Sequence, residues 1–334
     1  MAPTVKSFGM DLQIKDILEF VDFHHNIMVF LNNESRQISR DLANEFGINF
    51  DEYGYTLNGG QPPQKASQAA FNTKNTAWSR NMFEPITRVF SKPQRPVLIE
   101  DGIGAVLDTM ENNQHIFPIL RGDVGSFSKH SEEGPSEVGI VSGNQLSVVA
   151  GYQTQYNLRV VFSGSMKMCG NAAMMATRDP LQGNTIQSSS NYVLCTEMVE
   201  WNLQERGVVR ATNVRHNKVG DDRNGANPEN YKREVDIEYF IDIHEKKNGE
   251  WIPWVADDVQ FQFTMLDPYY QVALEQKDKS SPTFTYQLKT PWRLGIFKFV
   301  VDYKRYGLTY IDNKMEVSVI QLRHDEFPRY ETTG

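Results

Sequence analysis

Hydrophobic and polar positions alternate with two different periods along this chain, and the change from one to the other divides it. Ile14, Ile17, Leu18 and Val21 recur at three- and four-residue spacing among charged residues, which predicts a helix with one buried face. Asn26–Leu31 is then apolar without alternation and reads as a strand buried on both faces. Ser35–Phe46 returns to helical spacing, with Ile38, Leu42 and Phe46 on one stripe and Gly47 as its stop. Helix, buried strand and helix in this order predict a doubly wound α/β unit. Residues 58–96 are polar, broken by Gly59-Gly60 and Pro62-Pro63, and read as a long connection with one short strand. Apolar runs return at Pro96–Glu100, Gln114–Leu120, Leu146–Ala150 and Leu158–Ser163, and are expected to be strands of one sheet. Ser189–Glu205, with Tyr192, Leu194, Cys195, Met198, Val199 and Leu203 at mixed three-four spacing, is the last expected helix, and Gly207 ends it.

Beyond Gly207 the period falls to two. Val259, Phe261, Phe263 and Met265 point one way, and Gln260, Gln262 and Thr264 the other. Val208-Val209, Val235–Ile243, Trp251–Val255, Thr283–Leu288, Ile296–Tyr303 and Glu316–Leu322 are further extended segments, separated by turn residues. Asn248-Gly249 is a two-residue hairpin signal. Asp221–Asn230 reads as a surface loop. Seven such segments predict an antiparallel β-sandwich. The expected architecture is therefore α/β followed by all-β: an incomplete doubly wound domain over 1–207 and a sandwich over 208–330, with no internal repeat.

Composition narrows the class. With 334 residues, 40% of them hydrophobic, the chain can bury a substantial core and is not globally disordered. A net charge of −8 gives no overall electrostatic reason to bind nucleic acid. Two cysteines are too few for a disulfide scaffold or a four-cysteine zinc site. No apolar run approaches the roughly 18–20 residues that span a bilayer, and no basic stretch with an apolar core opens the chain as a signal peptide would.

Candidate chemistry is sparse. Asp221-Asp222 and Asp257-Asp258 are adjacent pairs, and neighbours on a strand face opposite ways, so they converge poorly on one ion. His24-His25 suffers the same defect. His244-Glu245 begins like a zinc-protease motif, but Asn248 stands where the second histidine belongs. Neither Ser163 nor Ser165 has the flanking glycines of a nucleophile elbow. Gly102-x-Gly104 lacks the third glycine of a dinucleotide fingerprint. Cys169 and Cys195 are expected to be free thiols, with Cys195 a small hydrophobe on the helix stripe. Asn33-Glu34-Ser35 is a glycosylation sequon, meaningful if the chain is secretory. Aromatics such as Trp251, Trp254, Trp292 and Tyr310 are explained mainly by core packing, and the remainder suit a carbohydrate or protein contact surface. No catalytic, metal-binding or cofactor-binding residue is assigned, which favours binding or assembly over chemistry.

Several long aperiodic strings carry a family resemblance. Trp251-Ile252-Pro253, Asp258–Phe263 with Leu266-Asp267-Pro268, Gly295–Tyr303, and Arg305-Tyr306-Gly307-Leu308-Thr309-Tyr310 followed by Val317-Ser318-Val319 resemble the 48 kDa subunit family of the endoplasmic-reticulum oligosaccharyltransferase. So do Ala2-Pro3-Thr4-Val5, Ile48–Glu52, Arg159–Ser165, and Asn191-Tyr192 leading to Trp201. The resemblance runs from about Ala2 to Tyr330, densest after Leu158. It implies a non-catalytic subunit of the complex that transfers oligosaccharide from dolichyl diphosphate to Asn in Asn-x-Ser/Thr. It also implies an endoplasmic-reticulum luminal location and no cofactor. The implied partners are the catalytic, ribophorin-type and Dad1-type subunits, and glycan contact is a further expectation. Against the family pattern, upstream strands, a signal peptide and a carboxy-terminal membrane anchor are expected outside this chain. The competing expectation is a stand-alone carbohydrate-binding β-sandwich module, or a hydrolase with scattered site residues.

Overall fold

The computed structural model describes residues 6–9, 12–59, 75–108, 115–130, 138–174, 189–220, 227–247 and 249–326. The chain divides into two compact units, Met1–Gly207 and Val208–Gly334.

The first unit begins with α1 (Ile14–Asp22), β1 (Ile27–Phe30), α2 (Gln37–Glu45), β2 (Ile48–Phe50) and β3 (Tyr55–Asn58). It continues with β4 (Thr76–Ser79), β5 (Val97–Glu100), β6 (Ala105–Leu107), β7 (Ile116–Arg121), β8 (Phe127–His130) and β9 (Val138–Ser142). β10 (Ser147–Gln153), β11 (Arg159–Ser163), α3 (Asn171–Met174) and α4 (Asn191–Asn202) complete it. A six-stranded sheet in the order β1-β11-β10-β6-β2, with β7 also pairing with β10, forms its centre. Val160 and Phe162 of β11 face a core built with Ile17, Val21, Leu42 and Phe46 of the α1–α2 side. The alternate residue Arg159 faces the other way and lies over the Trp201 ring of α4.

The α/β character of this unit holds, but its pairing departs from a doubly wound parallel sheet. Among the described residues the only parallel pair in this sheet is β1 with β11. The cause is local. A tight turn, in which Thr154 N donates to Leu158 O at 3.1 Å and Asn157 takes a left-handed φ of 66°, joins β10 directly to β11. A connection that short permits only antiparallel neighbours. Of the four apolar runs expected in one sheet, the run that becomes β5 leaves it and pairs with β4 in a separate two-stranded ladder.

The second unit opens with β12 (Val208–Lys218), β13 (Asn230–Lys232), β14 (Asp236–Lys247) and β15 (Glu250–Pro253). β16 (Gln260–Thr264), β17 (Pro268–Ala273), β18 (Thr283–Lys289), β19 (Gly295–Tyr303) and β20 (Ile311–Ile320) follow. One sheet is organised by β14, which pairs with β12 along one edge and with β18 and β15 in succession. The other runs β13-β20-β19-β16-β17. All ladders are antiparallel except β13 with β20. The sheets meet through their alternating buried residues: the Tyr239 ring lies 4.7 Å from Phe261 and 5.4 Å from Phe299. Lys247 pairs with Glu250 across the expected two-residue hairpin, and Gly249 supplies the left-handed φ of 83°.

Two expectations on α4 are corrected. Its buried face is only partly the apolar stripe read from the sequence: Leu194, Cys195 and Met198 are buried, but Tyr192, Val199 and Leu203 are exposed, and Asn191, Glu197 and Asn202 are buried beside the apolar residues. These polar side chains bind backbone. Asn191 exchanges hydrogen bonds with both the N–H and C=O of Leu98, Glu197 accepts from the Ser91 N–H, and Asn202 donates to Ile27 O and Arg159 O. The cysteines are also not free. Cys169 and Cys195 form a disulfide, with their Cα atoms 5.8 Å apart, inside the bridging range. Packing of α4 beside the turn that follows β11 brings together two residues 26 positions apart.

Candidate functional site

Most of the residues singled out in the first unit converge where β1 and β11 end. Leu31 N donates to Ser163 O at 2.8 Å and Met166 N to Leu31 O at 2.8 Å, so the parallel pair continues into the following loops. Gly164 lies at the crossing with the Gly102–Gly104 segment. Ile103 N donates to Gly164 O at 2.9 Å, and a Cβ on Gly164 would sit 2.1 Å from Ile103 O. Only glycine permits that approach. Gly102 and Gly104 likewise spend their carbonyls on Leu57 N and Asp51 N. The paired glycines are thus a backbone junction rather than a phosphate cradle.

The polar side chains around this junction hold main chain. Ser163 Oγ donates to Ser165 O at 3.1 Å, and Ser165 Oγ donates to Glu100 O at 2.7 Å while accepting from Met168 N. Both serines are fully buried. Lys167 pairs with Asp101 and Glu100, and the hydrogen bond to Asp101 raises its pKa most. Arg40 donates to Asp51 O and Ser35 O, and burial lowers its pKa. Burial raises the Asp51 pKa, opposed by the Ser128 hydroxyl that donates to it.

The sequon lies on the loop after β1. Asn33 is half-buried; its N–H donates to Asp101 O and its C=O accepts from Gly54 N, both at 3.2 Å. Ser35 is fully buried, and its hydroxyl donates to Asn32 Oδ1 at 3.1 Å. The sequon serine is therefore enclosed in the folded chain.

Elsewhere the candidates stay apart. His24 and His25 face different rings, His24 edge-on to Tyr156 and His25 stacked on Phe20 at 4.3 Å. His244 lies on β14 with Thr212 Oγ1 3.5 Å from its Nδ1, and Asn248 lies outside the described residues, as do Asp221 and Asp222. Asp258 accepts from Arg305 Nε at 2.9 Å and Tyr303 OH at 3.1 Å, while Asp257 is exposed. Among the described residues no three His, Cys, Asp or Glu side chains are grouped to hold a metal ion. No helix among them is long and apolar enough to cross a membrane.

The profile of the OST48 N-terminal domain matches residues 1–205, and that of the OST48 middle domain matches residues 216–334. The chain belongs to the OST48 family. The dolichyl-diphosphooligosaccharide–protein glycosyltransferase 48 kDa subunit of Danio rerio is 30% identical over 98% of this chain and 73% of its own length. The protein of the same name from Caenorhabditis elegans is 28% identical over 99% of this chain and 73% of itself, and that from Arabidopsis thaliana 27% over 100% and 75%.

The two OST48 segments leave residues 206–215 between them, and the first unit grips the start of this stretch with a side chain that the sequence reading passed over. Arg159, fully buried, donates to Trp201 O at 2.8 Å and to Arg206 O and Gly207 O at 2.7 Å each. Burial lowers its pKa to about 9. The available signal was a charge at the head of an otherwise apolar buried strand, where an unshared cation would be costly.

Proposed function

We propose that this chain is a non-catalytic, luminal subunit of the oligosaccharyltransferase complex, supporting its assembly. Through that complex it serves transfer of oligosaccharide from dolichyl diphosphate to Asn in Asn-x-Ser/Thr. The observation that carries this reading is the engagement of the candidate side chains themselves. Ser163 and Ser165 hold backbone, Cys169 and Cys195 are joined, and Asp258 is held by Arg305 and Tyr303. A nucleophile or general base needs its reacting atom free toward a substrate. The names of the relatives supply the complex. The disulfide supports an oxidising compartment, as the endoplasmic-reticulum lumen is. The partners in this reading are the catalytic, ribophorin-type and Dad1-type subunits. Asn33 is an acceptor only before folding encloses Ser35.

The test has two arms. The tagged chain, recovered from its own membranes, is expected to bring oligosaccharyltransferase activity with it. The purified chain with lipid-linked oligosaccharide, acceptor peptide and Mn²⁺ is expected to give no glycopeptide. Glycopeptide from the chain alone, or recovery of the chain without the complex, overturns the reading.

A further inference from the structure

β17 forms one margin of the second unit's β13-β20-β19-β16-β17 sheet. Leu274 N donates to Val259 O at 2.8 Å, so the Leu274 backbone faces the β16 side. Antiparallel ladders alternate the residues that bond the neighbour, which turns Val272 and Tyr270 toward β16 and Gln271 and Ala273 away from it. Both outward residues are exposed, and among the described residues nothing hydrogen-bonds their N–H or C=O groups. The other margins of this unit are obstructed or short. On β12, Thr309 Oγ1 accepts from the N–H of Val209 and donates to its C=O, and Asn227 Oδ1 accepts from His216 N at 2.8 Å. On β18, Thr285 exchanges hydrogen bonds with Glu275. β13 has three residues and carries Lys232, and β15 has four, with Glu250 and Pro253 at its ends; charge and proline discourage pairing. On β17 such devices stand only at the start, as Pro268 and the one irregularity in its ladder, and no residue from Tyr269 to Ala273 is charged. A cavity of about 340 Å³ opens beside this free edge, lined by Asp258, Gln260, Gln271, Val272, Ala273 and Arg305. Asp258 and Arg305 are paired with each other, while the exposed Gln260 and Gln271 amides have no partner among the described residues.

We propose that β17 receives an extended strand of a partner polypeptide, added antiparallel to the sheet. The open row selects a strand, because main-chain N–H and C=O groups at every second residue are matched by another extended backbone. Tyr270 and Val272, half-buried opposite the core residues Phe263 and Phe261, select apolar side chains on the core-facing side of that strand. The cavity selects uncharged hydrogen-bonding side chains on the other side: its carboxylate and guanidinium are spent on each other, and the two glutamine amides are left to bond a hydroxyl or an amide. A second copy of the chain fits less well, since it brings another net charge of −8 against the first. The inference goes beyond the function proposed above and does not depend on it.

The probe is the peptide acetyl-Lys-Thr-Val-Thr-Val-Thr-Lys-amide, titrated into the full chain and followed by NMR. Its valines match the core-facing side and its threonines the cavity side. Saturable binding is expected, with amide hydrogen exchange slowed at Gln271 and Ala273 and unchanged at Tyr270 and Val272, which already face β16. Two N-methylated peptides fix the geometry. Methylating the threonines removes the N–H groups that face β17 and is expected to weaken binding roughly tenfold or more, whereas methylating the valines, whose N–H groups face away, preserves it. Gln271→Pro is expected to lose binding and keep the wild-type circular dichroism, because the N–H that it removes faces solvent. No saturation, equal binding of the two methylated peptides, or protection of other amides in place of Gln271 and Ala273 overturns the proposal. So does a wild-type chain that sediments as a dimer with a monomeric Gln271→Pro variant, which assigns the edge to a second copy.

Discussion

Breaking the bridge between Cys169 and Cys195 is the sharpest perturbation of the first unit, because reduction changes no side chain except the sulfur–sulfur bond. The cross-link closes a loop of 26 residues. Loop-closure entropy for that length is about 12 cal/mol/K, or about 3.5 kcal/mol at 25 °C, by which the open chain gains freedom in the unfolded ensemble. Two further side chains tie the same loop down: Asn191 is bonded to Leu98 and Met168, and Ser189 Oγ donates to Ala173 O. They survive reduction, so the native fold is expected to persist with reduced stability. Urea unfolding of oxidised and reduced chain, read by hydrogen exchange on peptides from α4 and from β14, separates the two units. The α4 peptides are expected to open with a free energy lower by about 2–3.5 kcal/mol after reduction, and the β14 peptides to be unaffected. Thiol titration of the denatured, unreduced chain should give none, and two after reduction. Coincident α4 curves would refute the entropic reasoning, and two thiols before reduction would refute the bridge itself.

Arg159→Met removes three charge-assisted hydrogen bonds and leaves three carbonyls to be re-solvated, so urea unfolding of the first unit is expected to show a loss of about 3 kcal/mol, with Arg159→Lys intermediate. The second unit carries a pH dependence at His216, which is 1% exposed, lies 2.7 Å from Tyr231 OH, and has its pKa lowered by burial to about 4. The unfolded state, with an imidazole near its ordinary value, binds the proton first; stability is therefore full above pH ~6.5 and falls as pH drops toward 4, by about 3 kcal/mol in total. Denaturation midpoints of the β14 peptides across that range check the sign, and the slope should flatten in a His216→Phe/Tyr231→Phe double variant.

What could be read from the chain alone follows burial. β16 and β19 alternate cleanly because one face of each meets the opposite sheet, and Phe261, Phe263, Phe297 and Phe299 announce it. β1, β7, β10 and β11 were legible as apolar runs, but such a run does not say which strand it pairs with, so β5 was placed in the wrong sheet. β12 beyond Val209 and all of β13 and β17 were missed, because they lie mostly half-buried or exposed and keep few apolar residues. α4 misled for a physical reason: its buried face is partly amide and carboxylate, whose partners are backbone groups about a hundred residues away. The site was least legible. The candidate motifs dissolved into structural bonds, whereas the disulfide and the Arg159 grip depend on proximity that no local pattern encodes.

The succession of partners along β14 has a consequence for synthesis. Its end folds back at once on β15, where Lys247 meets Glu250, but its beginning waits: Asp242 pairs with Thr283, 41 residues later. At translation speeds of roughly 5–20 residues per second, that edge stays open for about two to eight seconds as the chain emerges. During the interval Ile237, Tyr239 and Ile241 are a ready template for another nascent chain. The alternate positions are Asp236, Glu238, Phe240 and Asp242, and their three carboxylates repel a second copy of the same strand. The acidic alternation that ends as the solvent face of a finished sheet thus first serves as a guard on the unfinished one.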